Sequence, residues 1–146
     1  MLKHAVQGVA DAGAQVEEIV LNKMMASDGL MLASPVFFYA VSAHSKILMD
    51  RCQSLWIKKY WIDKAPLGVK ASKRKGLFIS AGATKGKKIF DGSLLSVRYF
   101  FDVLDAELWK SLLYRRLDFE GDVLKHPEYL EEAYETGKAL VNVLKG

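Results

Sequence analysis

Apolar positions recur at helical spacing along the first ten residues, at Leu2, Ala5, Val6, Val9 and Ala10, and Gly13 stands where a helix should stop. The spacing predicts an amphipathic opening helix. "QVEEIVL" (15–21) then reads as a short strand. "GLMLAS" (29–34) is almost wholly apolar, which suits a strand covered on both faces, as in a parallel sheet. A long helix is predicted from about Ser42 to Tyr60, with Ile47, Leu48, Cys52, Leu55 and Trp56 on one stripe. "GLFISAGA" (76–83) is a second buried strand that ends in small residues. Helical spacing returns near Asp91, a good N-cap residue, with Leu94, Val97, Phe101 and Leu104 inward. "ELWKSLLYRRL" (107–117) predicts a last strand. The closing helix is the clearest element: Pro127 stands at the first helical position, before Leu130, Ala133, Tyr134, Gly137, Leu140, Val141 and Leu144.

Strands alternating with amphipathic helices predict an α/β sandwich with a parallel sheet and right-handed crossovers. In such folds ligands sit beyond the carboxyl ends of the strands. That selects two loops, "SPVFFYAVS" (34–42) and "SAGATKGKK" (80–88). One connection conflicts with the pattern. Only "NKMMASD" (22–28) separates the strands read at 15–21 and 29–34, whereas a parallel crossover takes a dozen or more residues. Either the two are joined in another way, or a segment has been lost near 22–28. "MMASDGLML", which reads as a helix end leading into its strand, favours the loss.

The 146 residues fit one domain, since a core of that size buries well over half of the unfolded chain's surface. The single cysteine, Cys52, excludes an internal disulfide framework and any cluster or zinc site built from several thiolates of this chain. No metal-ligand set stands out. There is neither a signal-peptide core at the N-terminus nor a run of about 18 apolar residues, so a reducing, cytoplasmic setting without membrane contact is expected. The net charge of +4 comes largely from "KASKRKG" (70–76) and "KGKK" (85–88). Charge runs in loops are ordinarily solvated surface, and no base-reading motif accompanies them, so nucleic acid is not favoured as a partner. A single-strand binder would use Lys70, Lys73, Arg74 and Lys75 with Trp56 and Trp61. Those tryptophans serve equally as helix packing or interface.

Pro35 lacks an N–H and holds an extended backbone, so the chain leaving the strand at Ser34 is expected to be stiff. Phe37, Phe38 and Tyr39 cannot all face inward from one short turn, and at least one is expected over a pocket or a partner subunit. The plain alternative is that they cap the core or a dimer interface. In the second loop Gly82 and Gly86 flank Thr84 and Lys85, which permits close backbone approach to a planar or anionic ligand, though such glycines more often make ordinary turns.

"DGLMLASPVFFYAVSAHSKILMDRCQSLW" (28–56) resembles the segment of flavodoxin-like NAD(P)H-dependent FMN reductases and iron-sulfur flavoproteins in which an apolar strand runs into Ser-Pro-Val-Tyr/Phe, then Ser-x-x-x-Lys, then Asp-Arg. The resemblance continues more loosely through "SAGATKGKKIFDG", "YFFDVLDAE" and "DVLKHPEYLEEAYETGKAL". It implies a flavodoxin-like three-layer α/β sandwich with a parallel sheet. It further implies an FMN-binding oxidoreductase that moves reducing equivalents from NAD(P)H through the flavin to a small-molecule or protein acceptor. Ser34, Pro35, Val36, Phe37 and Phe38 would edge the FMN ring, and Ala81, Gly82, Ala83 and Thr84 would line its other side. The cofactor carries the chemistry, so no catalytic acid, base or nucleophile is demanded of the chain.

Two features depart from the family pattern. Met1 falls where the family's first helix is already under way, so the first strand and the loop that cradles the FMN phosphate are expected to be missing, and the cluster-binding cysteines are absent. The rival reading is therefore a non-catalytic scaffold or assembly subunit that has lost FMN binding. A sheet without its central strand has open edges, and exposed edges invite pairing with another chain. Together with "LWIKKYW" (55–61), this predicts a homodimer or a higher homo-oligomer.

Overall fold

The computed structural model describes residues 1–12, 21–66 and 73–146. Helix α1 (Leu2–Asp11) and the short α2 (Leu21–Ala26) precede strand β1 (Gly29–Phe37), the two-residue β2 (Ala40–Val41) and helices α3 (Ala43–Arg51) and α4 (Gln53–Ile57). A wide π-type turn, Lys58–Ile62, closes that helical run. Then come β3 (Lys75–Gly82), α5 (Asp91–Val103), β4 (Glu107–Arg115), a 3-10 turn at Asp122–Lys125, and α6 (Pro127–Lys145). The sheet order is β2-β1-β3-β4. β1 pairs parallel with β3 and β3 parallel with β4, while β2 folds back antiparallel on the end of β1.

Period-two alternation sorts the strand residues between two cores. Leu30, Leu32 and Phe78 face α5 and the α3–α4 run, where they pack with Cys52, Val97, Phe101 and Leu104. Leu77, Ile79, Leu112 and Tyr114 face the other way, onto Ala5 of α1 and Ala133 and Leu140 of α6. Helices thus cover both faces of a mostly parallel sheet, in the three-layer arrangement the alternation predicts. Two glycines let α1 and α6 touch backbone to backbone. A Cβ on Gly8 would lie inside van der Waals distance of the Tyr134 carbonyl, and one on Gly137 inside that of Ala5.

Several predicted elements differ in detail. Residues 15–20 of the first predicted strand lie outside the described residues, and Leu21, its last member, begins helix α2. The "MMASD" segment does end a helix that leads into β1, as its pattern suggests. The predicted helix from Ser42 to Tyr60 is broken at Cys52 (ψ 1°), whose N–H bonds to Met49 O. Its apolar stripe is uneven: Cys52 is buried, Leu48, Leu55 and Trp56 are half-buried, and Ile47 is exposed. Ala10, read as inward on the opening helix, is also exposed. Asp91 is the first residue inside α5 and not its cap, which is Phe90; an acid there still favours the positive end of the helix dipole. β4 ends at Arg115 because Arg116 (φ 62°) turns the chain left-handed.

At the amino ends of the strands a polar network ties the layers together. The Arg74 guanidinium donates to Ser27 O and Leu104 O at 2.7 Å each and also to Met24 O. Lys59 donates to Asp102 O at 2.7 Å and reaches Asp105 at 3.2 Å, while the Tyr60 hydroxyl donates to the Asp102 carboxylate. Burial first, then that carboxylate, pushes the Tyr60 pKa well above its usual value. Arg74 is thereby bound to three carbonyls that close α2 and α5, and Lys75 pairs with Glu107. Of the basic loop weighed for nucleic acid, Lys70 lies outside the described residues.

Candidate functional site

The site expected from the strand pattern is the carboxyl end of β1 and β3, and there the chain behaves differently from the sequence expectation. β1 does not stop at Ser34. Pro35 stays in the sheet opposite Ala81, and the strand runs on through Phe37. Ser34 is buried and locks three segments: its Oγ accepts from Ser42 N at 2.8 Å and donates to Pro35 O at 3.0 Å, while Ser80 Oγ donates to Ser34 O at 2.7 Å. Ser42 in turn caps α3, accepting from Ser45 N at 3.4 Å. The start of that helix is thereby bolted to the end of the strand.

Val36 pairs with Val41 and Phe37 with Ala40, so the reversal is a two-residue hairpin with Phe38 and Tyr39 at its apex. Both apex residues are left-handed, at φ 50° and 65°. That is the twist two-residue hairpins favour, but they normally place Asn or Gly there; bulky side chains in this region cost about 1–3 kcal/mol each. The N-terminus of α5 holds the turn. Ser93 Oγ donates to Tyr39 O at 3.4 Å, and Gly92 lacks the Cβ that would collide with the same carbonyl. Phe38 is fully exposed, and Phe37 and Tyr39 are each 60% exposed. The three rings therefore lie outside the core.

Opposite the hairpin, β3 ends in Ala81, half-buried, and Gly82, buried, and continues into exposed Ala83 and Thr84. Residues 83–88 are exposed and are anchored by Ile89 and Phe90, which are buried. The loop is also gripped from β4. Arg115 Nε donates to Gly86 O and an Nη to Lys87 O, both at 3.2 Å, and the guanidinium stands 5.1 Å from the centre of the Phe90 ring. Lys85, Lys87 and Lys88 are exposed, and none of them has an ion-pair partner among the described residues. The fold thus brings all nine sequence-predicted residues to the carboxyl ends of two neighbouring strands. Seven of them, Pro35, Val36, Phe37, Phe38, Ala81, Ala83 and Thr84, keep some exposure there, while Ser34 and Gly82 are buried behind them.

Residues 3–87, more than half of the chain, match the family described as NADPH-dependent FMN reductase. The chain belongs to that family. Over 42 residues it is 55% identical to an iron-sulfur flavoprotein of Methanocaldococcus jannaschii, a stretch that covers 29% of this chain and 21% of that protein. Among solved structures, a flavone reductase superposes with a TM-score of 0.65 at 16% identity, covering 98% of this chain and 57% of its own. A WrbA-like flavodoxin from Agrobacterium tumefaciens gives a TM-score of 0.62 at 14% identity, covering 99% and 89%. These likenesses show the flavodoxin-like fold. The chain spans about a fifth of the archaeal relative and little more than half of the flavone reductase.

Within this reductase-family fold, a separate groove between α3–α4 and α5 is lined by Met49, Cys52, Trp56, Tyr99 and Phe100. It lies away from the strand ends. Burial pushes the Cys52 thiol pKa up, so the thiol stays protonated and inert. Sequence reasoning missed Ser80, Gly92, Ser93 and Arg115. Each acts through a contact to another segment, and only the Gly92-Ser93 pair after Asp91 hints locally at a close approach.

Proposed function

We propose that the carboxyl ends of β1 and β3 bind the ring of FMN and that the protein is a flavin-dependent oxidoreductase fed by NAD(P)H, passing electrons to a small-molecule or protein acceptor. The observation that carries this reading is the exposed, left-handed Phe38–Tyr39 hairpin beside the small residues of the 81–84 loop. Backbone strain of this kind persists where surrounding structure over-determines it, and it clusters at ligand sites. Pro35, Phe37 and Phe38 offer an apolar border, while Ala81, Ala83 and Thr84 leave room for a flat ring on the facing side. When bound, FMN supplies the two-electron chemistry between nicotinamide and acceptor; the residues named here bind it, orient it and shed water from one of its faces.

Titration of the purified protein with FMN tests the reading. Flavin absorbance that survives gel filtration, with a rise in melting temperature that grows with FMN, is the expected result. A colourless protein indifferent to FMN would overturn it and support the scaffold reading instead. Phe38→Ala is expected to weaken FMN retention about tenfold, since an aromatic side chain packed against a ligand ring is worth about 1 kcal/mol or more. Stability should change by no more than about 0.5 kcal/mol, because the side chain is fully exposed. A fall of several kcal/mol in stability with binding unchanged would place Phe38 in the core and defeat the assignment.

The loop lysines are assigned to attraction of the nicotinamide cofactor's phosphates. Changing Lys85, Lys87 and Lys88 together to Gln is expected to raise KM for NADPH about tenfold and flatten its salt dependence. An unchanged KM and salt profile would leave these lysines a solubility role only.

We also infer a homodimer. Among the described residues the outer edge of β1 is paired only at Val36 and Phe37, and Trp61, which ends the aromatic run of 55–61, and Ile62, which follows it, are 68% and 70% exposed. Sedimentation at micromolar concentration should show a dimer; a stable monomer would sink the inference.

A further inference from the structure

We propose that Arg115 is a positioning residue for the nicotinamide cofactor, bracing the 83–90 loop so that its lysines are held at the strand ends where the phosphates arrive. The proposal rests on the reading of the site as a flavin and NAD(P)H site. It adds a residue that the strand-end loops themselves do not contain.

Arg115 is the last residue of β4 and pairs in register with Gly82, the last residue of β3. Just past the left-handed Arg116, Leu117 N–H bonds to Gly82 O at 3.3 Å, so the start of the loop is tied to the chain leaving β4. From there the guanidinium spans the loop. Two of its N–H groups take the consecutive carbonyls of Gly86 and Lys87, and the cation lies near the Phe90 ring that plugs the loop's far end.

The chemistry of these contacts calls for arginine. Adjacent carbonyls need two donors in a fixed fork together with a flat cation that can lie against a ring, whereas lysine offers one compact, strongly hydrated ammonium. Arg115 makes no ion pair with a carboxylate among the described residues. Its charge is therefore not cancelled locally and adds to those of Lys85, Lys87 and Lys88. Four like charges repel, and a loop held only by its ends would spread them apart. The brace keeps them together, which is the arrangement a polyanion such as a dinucleotide's phosphates would favour.

Arg115→Ala and Arg115→Lys test this with two readouts on the full chain. The first is cleavage by a lysine-specific protease at Lys85, Lys87 and Lys88, followed by mass, at a temperature where both variants remain folded. Release of the loop should speed cleavage about tenfold in both variants without a matching fall in melting temperature. The second is steady-state kinetics at saturating FMN: KM for NADPH should rise about fivefold or more in both variants with kcat within about twofold. Unchanged cleavage overturns the brace, and faster cleavage with unchanged KM overturns its role in cofactor binding. Full rescue of both readouts by lysine would show that charge alone acts, which also overturns the proposal. If the wild-type chain neither binds FMN nor oxidises NADPH, the cofactor assignment falls with the functional reading, and the brace is then decided by the protease alone.

Discussion

Replacing Phe101 with Ala is expected to lower the unfolding free energy by about 3–5 kcal/mol, with no change in the dependence on denaturant that reports surface exposed. The ring is 1% exposed, sits at the centre of the core on the α5 side of the sheet, and lies against Gly76 of β3, where a Cβ would collide with it. Cavity cost depends on whether neighbours can close in. Gly76 is strand backbone paired with Leu30 of β1 and Leu108 of β4, just before a shift in the β3–β4 register, and the strands on both sides limit its movement toward the void. The site is therefore at the upper end of the range. Urea unfolding followed by fluorescence measures it, and a decrease below about 1 kcal/mol would mean that this core is fluid or that α5 is misplaced.

Gly137→Ala should also destabilise strongly, by about 3 kcal/mol, although helix propensity alone predicts a gain of about 1 kcal/mol for the same change. The sign is decided by packing. The new Cβ would fall on the Ala5 carbonyl oxygen, and Gly8 makes the reciprocal contact with Tyr134, so α1 and α6 cannot part at one point without loosening the other. Gly8→Ala should cost a similar amount, and the double variant less than the sum, because the first substitution already separates the helices. Thermal unfolding of the three variants beside the wild-type protein measures this. A stabilised Gly137→Ala protein would show that the two helices do not meet as described.

Much of the layer arrangement was legible in the sequence. The apolar runs of 29–34 and 76–83 announced buried strands, and Pro127 with its stripe through Leu144 announced α6, because strand and helix periods are properties of neighbouring residues. The opening helix was legible for the same reason, although its glycine-mediated fit to α6 was not. The helix break at Cys52 carries no proline or glycine to signal it; the residue at the break is buried in the core.

For the candidate site the division is sharper. By itself the sequence determined that strands and helices alternate, that two strand-end loops carry apolar, small and basic residues, and that the 28–56 segment belongs with flavin reductases, since each of these is written in consecutive residues. Only the tertiary structure decided that β1 runs past Pro35, that Phe38 and Tyr39 turn left-handed, and that Arg115 grips the lysine loop. No local rule places Phe-Tyr at such a turn. What holds it there is the amino end of α5, more than fifty residues away in sequence, through Ser93 and the bare backbone of Gly92. The brace likewise joins the end of β4 to a loop 28 and 29 positions earlier. Contacts of that span exist only once the sheet has brought the strand ends side by side, so their energies, and the site they shape, belong to the fold and not to any stretch of the chain.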